Sequence, residues 1–256
     1  MKIQIASDLH LEMRRNLQPE IHDFDPVEAR DVLVLAGDIG TYMDAWPFVE
    51  QELRRSPVIY VPGNHEYYCW QSREDTDEAW KRKAQRNAGL YYLTAEGVTL
   101  GGARFWGAPW YSDLFGRRER GYLRSVEGAI NDFSPRFNDS GRWTIERHLE
   151  EHARQTTLLR EQAGRVDVVV THWPPTRDAV APRFKGNGLN SYFVNDREDL
   201  VEEIAARFWI SGHVHDAYRE SVGETVLIGN STGYPGEVSE SALFRPDRVI
   251  EVELAG

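Results

Sequence analysis

A single cysteine, Cys69, in 256 residues rules out an internal disulfide and any C-x-x-C zinc or redox pair. Long apolar runs are missing as well. No stretch approaches the roughly 20 apolar residues of a membrane-spanning helix, and Met1-Lys2-Ile3-Gln4-Ile5-Ala6-Ser7-Asp8 has too short an apolar core for a signal peptide. A cytoplasmic protein with no membrane partner is expected. Positive charge is in deficit: 30 Lys and Arg against 41 Asp and Glu give a formal charge of −11. That balance repels nucleic acid over most of the surface, so an extended nucleic-acid interface is not expected. A small anionic substrate stays open, because local charge in a cleft decides that case and a bound metal would dominate it. The 12 prolines and 21 glycines exclude a collagen-like or low-complexity chain. The length suits one large domain, or two small ones at most.

What is present is a β-α-β-α opening. Lys2–Ala6, Asp31–Ala36, Pro57–Val61 and Arg165–Thr171 crowd apolar and β-branched residues without strict alternation, the pattern of strands buried on both faces. Helices are predicted over Asp44–Arg55 and Arg73–Asn87; the second is acidic at its start and basic at its end, which complements the helix dipole. This order predicts parallel strands flanked by helices. Farther on, Val98–Trp110 reads as paired strands. Phe208–Ser211, Ala217–Ser221, Thr225–Ile228 and Val249–Leu254 are close-set and predict an antiparallel meander. Ile145, Leu149, Thr156, Leu159 and Ala163 share one face of a further helix. Residues 111–143 lack periodicity and are expected to form an irregular surface excursion.

Four polar segments share one address, the loop after a predicted strand: Asp8-Leu9-His10, Gly37-Asp38, Gly63-Asn64-His65-Glu66 and Gly212-His213-Val214-His215. A fifth, Thr171-His172, ends the strand containing Val168–Val170. Ligands of open α/β sheets collect where such loops converge. Five of the eight histidines therefore fall in one predicted region, beside two aspartates and an asparagine. These oxygen and nitrogen donors suit Mn, Fe or Zn better than a thiolate-seeking ion. D-x-H and G-D are common by chance, whereas G-N-H and G-H-x-H are not. His213 and His215, two apart, can both face a site from one face of a strand or from a backbone that is not a plain strand.

In order and content these blocks resemble the calcineurin-like metallophosphoesterases, with the matches spanning Asp8 to His215. The resemblance implies one domain over residues 1–256, built as a four-layer α/β/β/α sandwich with two mixed β-sheets. It implies two divalent transition-metal ions. Asp8, His10, Asp38 and His215 would hold one, and Asp38, Asn64, His172 and His213 the other, with Asp38 bridging. His65 is similar to the family histidine that contacts the substrate phosphate, which makes it the candidate catalytic residue. The activity implied is hydrolysis of a small phosphomonoester or phosphodiester by metal-bound hydroxide. The residue types agree with that chemistry: one carboxylate can hold two cations, and two cations can activate water and neutralise a phosphoryl transition state. A nuclease using the same centre is the alternative, disfavoured by the acidic balance. A scaffold without catalysis would be expected to lack ligands, and every block here is filled.

One departure bears on the substrate. Gly37-Asp38 continues as Ile39-Gly40-Thr41-Tyr42, without the acidic and arginine residues that follow it in the family's protein Ser/Thr phosphatases. A bacterial-type phosphoesterase is expected instead, its specificity set by Trp106–Arg124 and Trp173–Tyr192. Both segments carry cations (Arg117, Arg118, Arg120 and Arg124; Arg183 and Lys185), but none is assigned to the substrate. Two further patterns are decoys. His148-Leu149-Glu150-Glu151-His152 matches the inverted zinc-protease motif H-x-x-E-H but has no third ligand in view. Asn138-Asp139-Ser140 and Asn230-Ser231-Thr232 match glycosylation sequons that carry no meaning in a cytoplasmic protein.

Overall fold

The apolar runs become strands sandwiched between layers. The computed structural model describes residues 1–14, 24–135, 142–235 and 244–253. In chain order its strands are β1 (Lys2–Ala6), β2 (Val32–Ala36), β3 (Val58–Val61), β4 (Leu90–Tyr92), β5 (Glu96–Leu100), β6 (Ala103–Ala108), β7 (Val168–Thr171), β8 (Phe208–Ser211), β9 (Tyr218–Val222), β10 (Thr225–Gly229) and β11 (Val249–Glu251). The helices are α1 (Leu11–Arg14), α2 (Trp46–Glu52), α3 (Arg73–Arg86), α4 (Arg120–Ala129), α5 (Ile145–Arg160), α6 (Asn190–Phe193) and α7 (Glu198–Ile204). One sheet has the order β11-β1-β2-β3-β4 and the other β5-β6-β7-β8-β10-β9. Both are mixed: β1 to β4 run parallel with β11 antiparallel, and β6, β7, β8 and β10 run parallel between antiparallel edges β5 and β9.

Alternation along each strand assigns its two faces to two different cores. Ile3, Ile5, Val32, Val34, Ile59 and Val61 meet Phe105, Val168, Val170, Ile210 and Ile228 between the sheets. The opposite face of the first sheet, with Leu33, Leu35, Val58 and Tyr60, packs on Val49 of α2 and Trp80 of α3. The opposite face of the second, with Trp106, Val169, Trp209 and Leu227, packs on Leu159 of α5 and Leu200, Val201 and Ile204 of α7. This is the expected α/β/β/α sandwich. Strands covered on both sides have no face to leave polar, which is why Val32–Ala36 reads Val-Leu-Val-Leu-Ala. Local chemistry agrees at the helix starts. Ser72 accepts a hydrogen bond from the Asp75 amide at 3.0 Å, and Thr144 from that of Arg147 at 3.3 Å.

Two expectations are corrected. The strands from Phe208 onward form no meander. Only β9 and β10 make an antiparallel hairpin, β8 lies parallel to β10, and β11 crosses to the other sheet. The loop after β8 carries the Gly-His-Val-His segment instead of a tight turn, so it cannot return the chain antiparallel beside β8. Residues 111–143 are not an irregular surface excursion either. Their described part contains α4 and buries Tyr111, Leu114, Val126, Ile130, Phe133 and Trp143 against Trp173 and Tyr192. Those apolar residues are spaced by bends, so they carry no single period. Among the described residues no helix is long and apolar enough to cross a membrane.

Trp80 illustrates the outer layer. Its fully buried ring lies 4.7 Å from that of Tyr60 and 5.7 Å from that of Tyr92, and its indole N–H donates to the Tyr42 carbonyl at 2.8 Å. Trp80→Ala is expected to lower unfolding free energy by about 3–5 kcal/mol. Urea denaturation measures this, and a loss below about 1 kcal/mol would contradict the packing described.

Candidate metal centre

The five polar segments converge at the carboxyl ends of β1, β2, β3, β7 and β8. Backbone hydrogen bonds tie them together: the Asp8 amide donates to Gly37 O at 2.9 Å, that of His10 to Asp38 O at 3.0 Å, and that of Gly212 to His172 O at 3.0 Å. Asp8, His10, Asp38, His213 and His215 all have φ between 45° and 69°, the left-handed region that costs non-glycine residues on the order of 1 kcal/mol or more each. His213 and His215 thus face inward from a non-strand backbone, the second of the two geometries open to them. Gly63 has no alternative residue, since a Cβ there would lie 2.2 Å from Asp38 Oδ1 and 2.6 Å from His172 Nε2.

All seven expected ligands are brought together. Asp8, His10, Asp38 and His215 place one donor atom each within 4.8 Å of one another, and so do Asp38, His172 and His213. Asp38 belongs to both of these, and His10, Glu12 and His65 form a third such group that shares His10 with the first. Asn64 Oδ1 joins the second, 3.2 Å from His172 Nε2. Ring nitrogens face ring nitrogens, His10 Nε2 to His215 Nε2 at 3.1 Å and His172 Nε2 to His213 Nδ1 at 3.2 Å. Donor atoms of like kind turned toward one point fit a cation better than they fit each other. The outer nitrogen of His172 donates to Ala36 O at 2.8 Å, which leaves Nε2 as its inward donor atom.

Electrostatics agree. Burial opposes protonation of His172 and His65, yet the Asp38 carboxylate outweighs it and pushes each up to about 9. A field that retains protons on buried imidazoles is one that favours cations. Burial, followed by the neighbouring His172, pushes His213 well below the usual histidine range, and the neutral ring is the ligating form.

Three carboxylates outside the expected set organise the site. Glu66 accepts from the amides of Asp38 (3.1 Å), Ile39 (2.8 Å) and Gly63 (2.7 Å) and from the Tyr60 hydroxyl (2.6 Å). Burial, then the charge of Asp38, pushes it up to about 7. Asp132, from the segment after α4, accepts from Asn64 Nδ2 at 3.0 Å and from the hydroxyls of Tyr68 and Tyr192, which turns Asn64 Oδ1 toward the histidines. Glu12 lies 3.1 Å from His65 Nδ1 and 3.4 Å from His10 Nδ1. Burial works against the Glu12 charge, but these two hydrogen bonds hold its pKa at about 2. Glu66 was visible as the fourth residue of Gly-Asn-His-Glu and Glu12 as an acid two residues past the D-x-H block. Asp132 had no local signal. Tyr234 closes the cluster, with its hydroxyl 3.1 Å from His65 Nε2 and its ring 4.4 Å from that of His215.

The decoys resolve as structure. His148 Nε2 contacts Ser112 Oγ at 3.0 Å, its ring stacks on Tyr192, and burial holds it neutral. His152 Nδ1 donates to Tyr111 O. Asn230 is buried and donates from Nδ2 to Ile5 O and Arg245 O, while Asn138-Asp139-Ser140 lies outside the described residues. Trp106, Trp110 and Trp173, in the segments expected to set specificity, are core residues. Arg117 lies over the Tyr122 ring, and Arg183 pairs with Asp216 at 2.7 Å, next to His215.

The family model described as calcineurin-like phosphoesterase matches residues 1–217. An uncharacterized protein of Acanthamoeba polyphaga mimivirus is 23% identical over 285 residues, covering 98% of this chain and 96% of its own. Among solved structures, the phosphopantetheinyl hydrolase of Mycobacterium tuberculosis superposes with a TM-score of 0.71 at 19% identity, over 97% of this chain and 95% of that one. This last likeness is one of fold.

Glu66→Gln tests the clamp. Either orientation of the amide sets its NH2 against donors that now point at a carboxylate oxygen. The expected loss is about 2–3 kcal/mol, read as a lower thermal midpoint of the metal-free protein. An unchanged midpoint would show that the loops hold without it.

Proposed function

The chain belongs to the calcineurin-like phosphoesterase family, metal-dependent hydrolases of phosphate esters, and on that premise we propose that it is a dinuclear enzyme acting on a small phosphomonoester or phosphodiester. The observation that carries this reading is the membership of Asp38 in two of the donor groups. Asp8, His10, Asp38 and His215 are assigned to one ion, and Asp38, Asn64, His172 and His213 to the other. The donor set suits Mn, Fe or Zn. Such ions, when bound, supply Lewis acidity that activates water and offsets charge on the phosphate oxygens.

The chain's own residues do the rest. Asp38 would hold both ions and so fix the spacing between them. Asn64 contributes a neutral carbonyl, so the second site gains a donor without another negative charge. His65 belongs to neither ligand set. Its Nδ1 is tied to Glu12 and its Nε2 points toward Tyr234, an exposed residue, the side from which a phosphate ester would reach it. From there Nε2 can stabilise charge on the phosphoryl group or hand a proton to the departing alcohol. Assays should cover phosphomonoesters, cyclic nucleotides and other diesters. A phosphopantetheinyl ester is included because the structurally similar mycobacterial protein is named for that group.

Reconstitution with Mn(II) is expected to give two ions per chain by elemental analysis, and chelation to abolish hydrolysis. Asp38→Asn should be the most damaging ligand change, since it weakens both sites. Zero or one ion in the wild type, or full occupancy and rate in Asp38→Asn, would refute the dinuclear assignment.

His65→Ala should separate binding from catalysis: near wild-type metal content with kcat lower by roughly two orders of magnitude. An aryl ester, whose leaving group departs unprotonated, should suffer much less than an alkyl ester if His65 is the acid. Equal losses assign it to charge stabilisation, and loss of one ion makes it a ligand.

A further inference from the structure

Glu12 is hydrogen-bonded through one oxygen to two histidines with different assignments. Its Oε1 lies 3.1 Å from Nδ1 of His65 and 3.4 Å from Nδ1 of His10, whose rings meet edge to face at 4.4 Å. Because a carboxylate only accepts, both rings must carry their proton at Nδ1. That leaves Nε2 of His10 facing His215 inside the first ligand group, and Nε2 of His65 facing the rim and Tyr234. The mount for this carboxylate is tied to its surroundings by hydrogen bonds. It stands in α1, two residues after His10, and Arg14 of the same helix donates to Leu9 O at 2.7 Å and to Gly233 O at 3.2 Å, beside Tyr234. The side chain of Glu12 is only 14% exposed, so water is a poor substitute for it. The segment after Asp38, Ile39-Gly40-Thr41-Tyr42, brings no carboxylate of its own.

Resting on the hydrolase reading above, we propose that Glu12 is a positioning residue that fixes both histidines at once, committing Nε2 of His10 to metal and Nε2 of His65 to the substrate phosphate or leaving group. A carboxylate behind an imidazole sets its tautomer and ring orientation, and losing such a partner typically costs about 10–100-fold in metal affinity or activity. Here one side chain carries both effects, so they should separate when either histidine is removed.

The test uses Glu12→Ala and Glu12→Gln, each alone and combined with His65→Ala, in the full chain loaded with Mn(II). In Glu12→Ala, Mn(II) should bind about tenfold more weakly by calorimetry while still reaching two ions at saturation. At saturating Mn(II), kcat for an alkyl phosphate ester should fall roughly 10–100-fold, with a smaller fall for an aryl ester. Glu12→Gln, whose carbonyl accepts the same N–H groups, should recover part of both. In the His65→Ala background, neither substitution should change kcat more than about twofold, because the residue they act through is gone. Equal kcat losses in both backgrounds, no rescue by glutamine, or an ion lost at saturation would overturn the proposal, the last by making Glu12 a ligand. Should Glu12→Ala fail to fold, Glu12→Gln carries the test with the same expectation of no added loss beside His65→Ala. A wild-type protein that binds two ions yet hydrolyses no ester would refute the hydrolase reading instead, and the Mn(II) affinities would still decide the His10 half.

Discussion

The carboxylate of Glu66 is the point on which the site's geometry turns. A buried charge is costly unless its hydrogen-bonding capacity is filled, and three backbone amides and a tyrosine hydroxyl fill this one. Two of those amides belong to the loop after β2 and one to the loop after β3. The chain ends of neighbouring strands are therefore stapled by one side chain. It places Asp38 against the amide of His65, at 2.8 Å, and sets Asn64 on the opposite side of Gly63 from β3. The spacing between the Asp38 carboxylate and its neighbours follows from that staple.

Around this clamp the outer carboxylates act on different partners. Glu12 faces two imidazoles, with which it forms a donor group of its own, and Asp132 faces an amide, so each directs a donor atom inward. Asp132 arrives from the segment between β6 and β7, which packs its own aromatic cluster on Trp173 and Tyr192. That segment therefore serves as a wall of the site. Tyr192 belongs both to the cluster and to the Asp132 network, which links packing there to the direction of the Asn64 carbonyl.

Much of this was legible in the sequence, for physical reasons that differ by residue. The candidate ligands could be read because each is a particular donor in the loop after a buried strand, and both the donor and the strand are local patterns. The layers could be read because strands covered on both faces tolerate little polarity. Partner choice could not. Asp132 meets Asn64 across 68 residues, and nothing around Asp132 distinguishes it from a surface acid. Strand order after Phe208 was hidden for a similar reason: pairing depends on which edge is free in three dimensions, while spacing along the chain shows only that strands are near. The H-x-x-E-H match failed because its histidines fill a core against Tyr111 and Tyr192, a context invisible to a five-residue pattern.

The overall charge of −11 and an anionic substrate are compatible once the centre is considered by itself. Without cations, Asp38 with Glu12 and Asp132 keeps a proton on His65, and Asp38 with Asp8 keeps one on His172. Five of the seven candidate ligands also hold left-handed backbone geometry that costs free energy. Both features oppose folding of the empty site, and divalent ions offset the electrostatic part directly. Two bound divalent ions would reverse the local sign, from one that repels a phosphate to one that attracts it. On the function proposed above, metal loading would be a precondition for substrate binding as well as for chemistry, and acidic residues far from the centre would have little influence on either, because exposed charge is screened within about a Debye length of 8–10 Å.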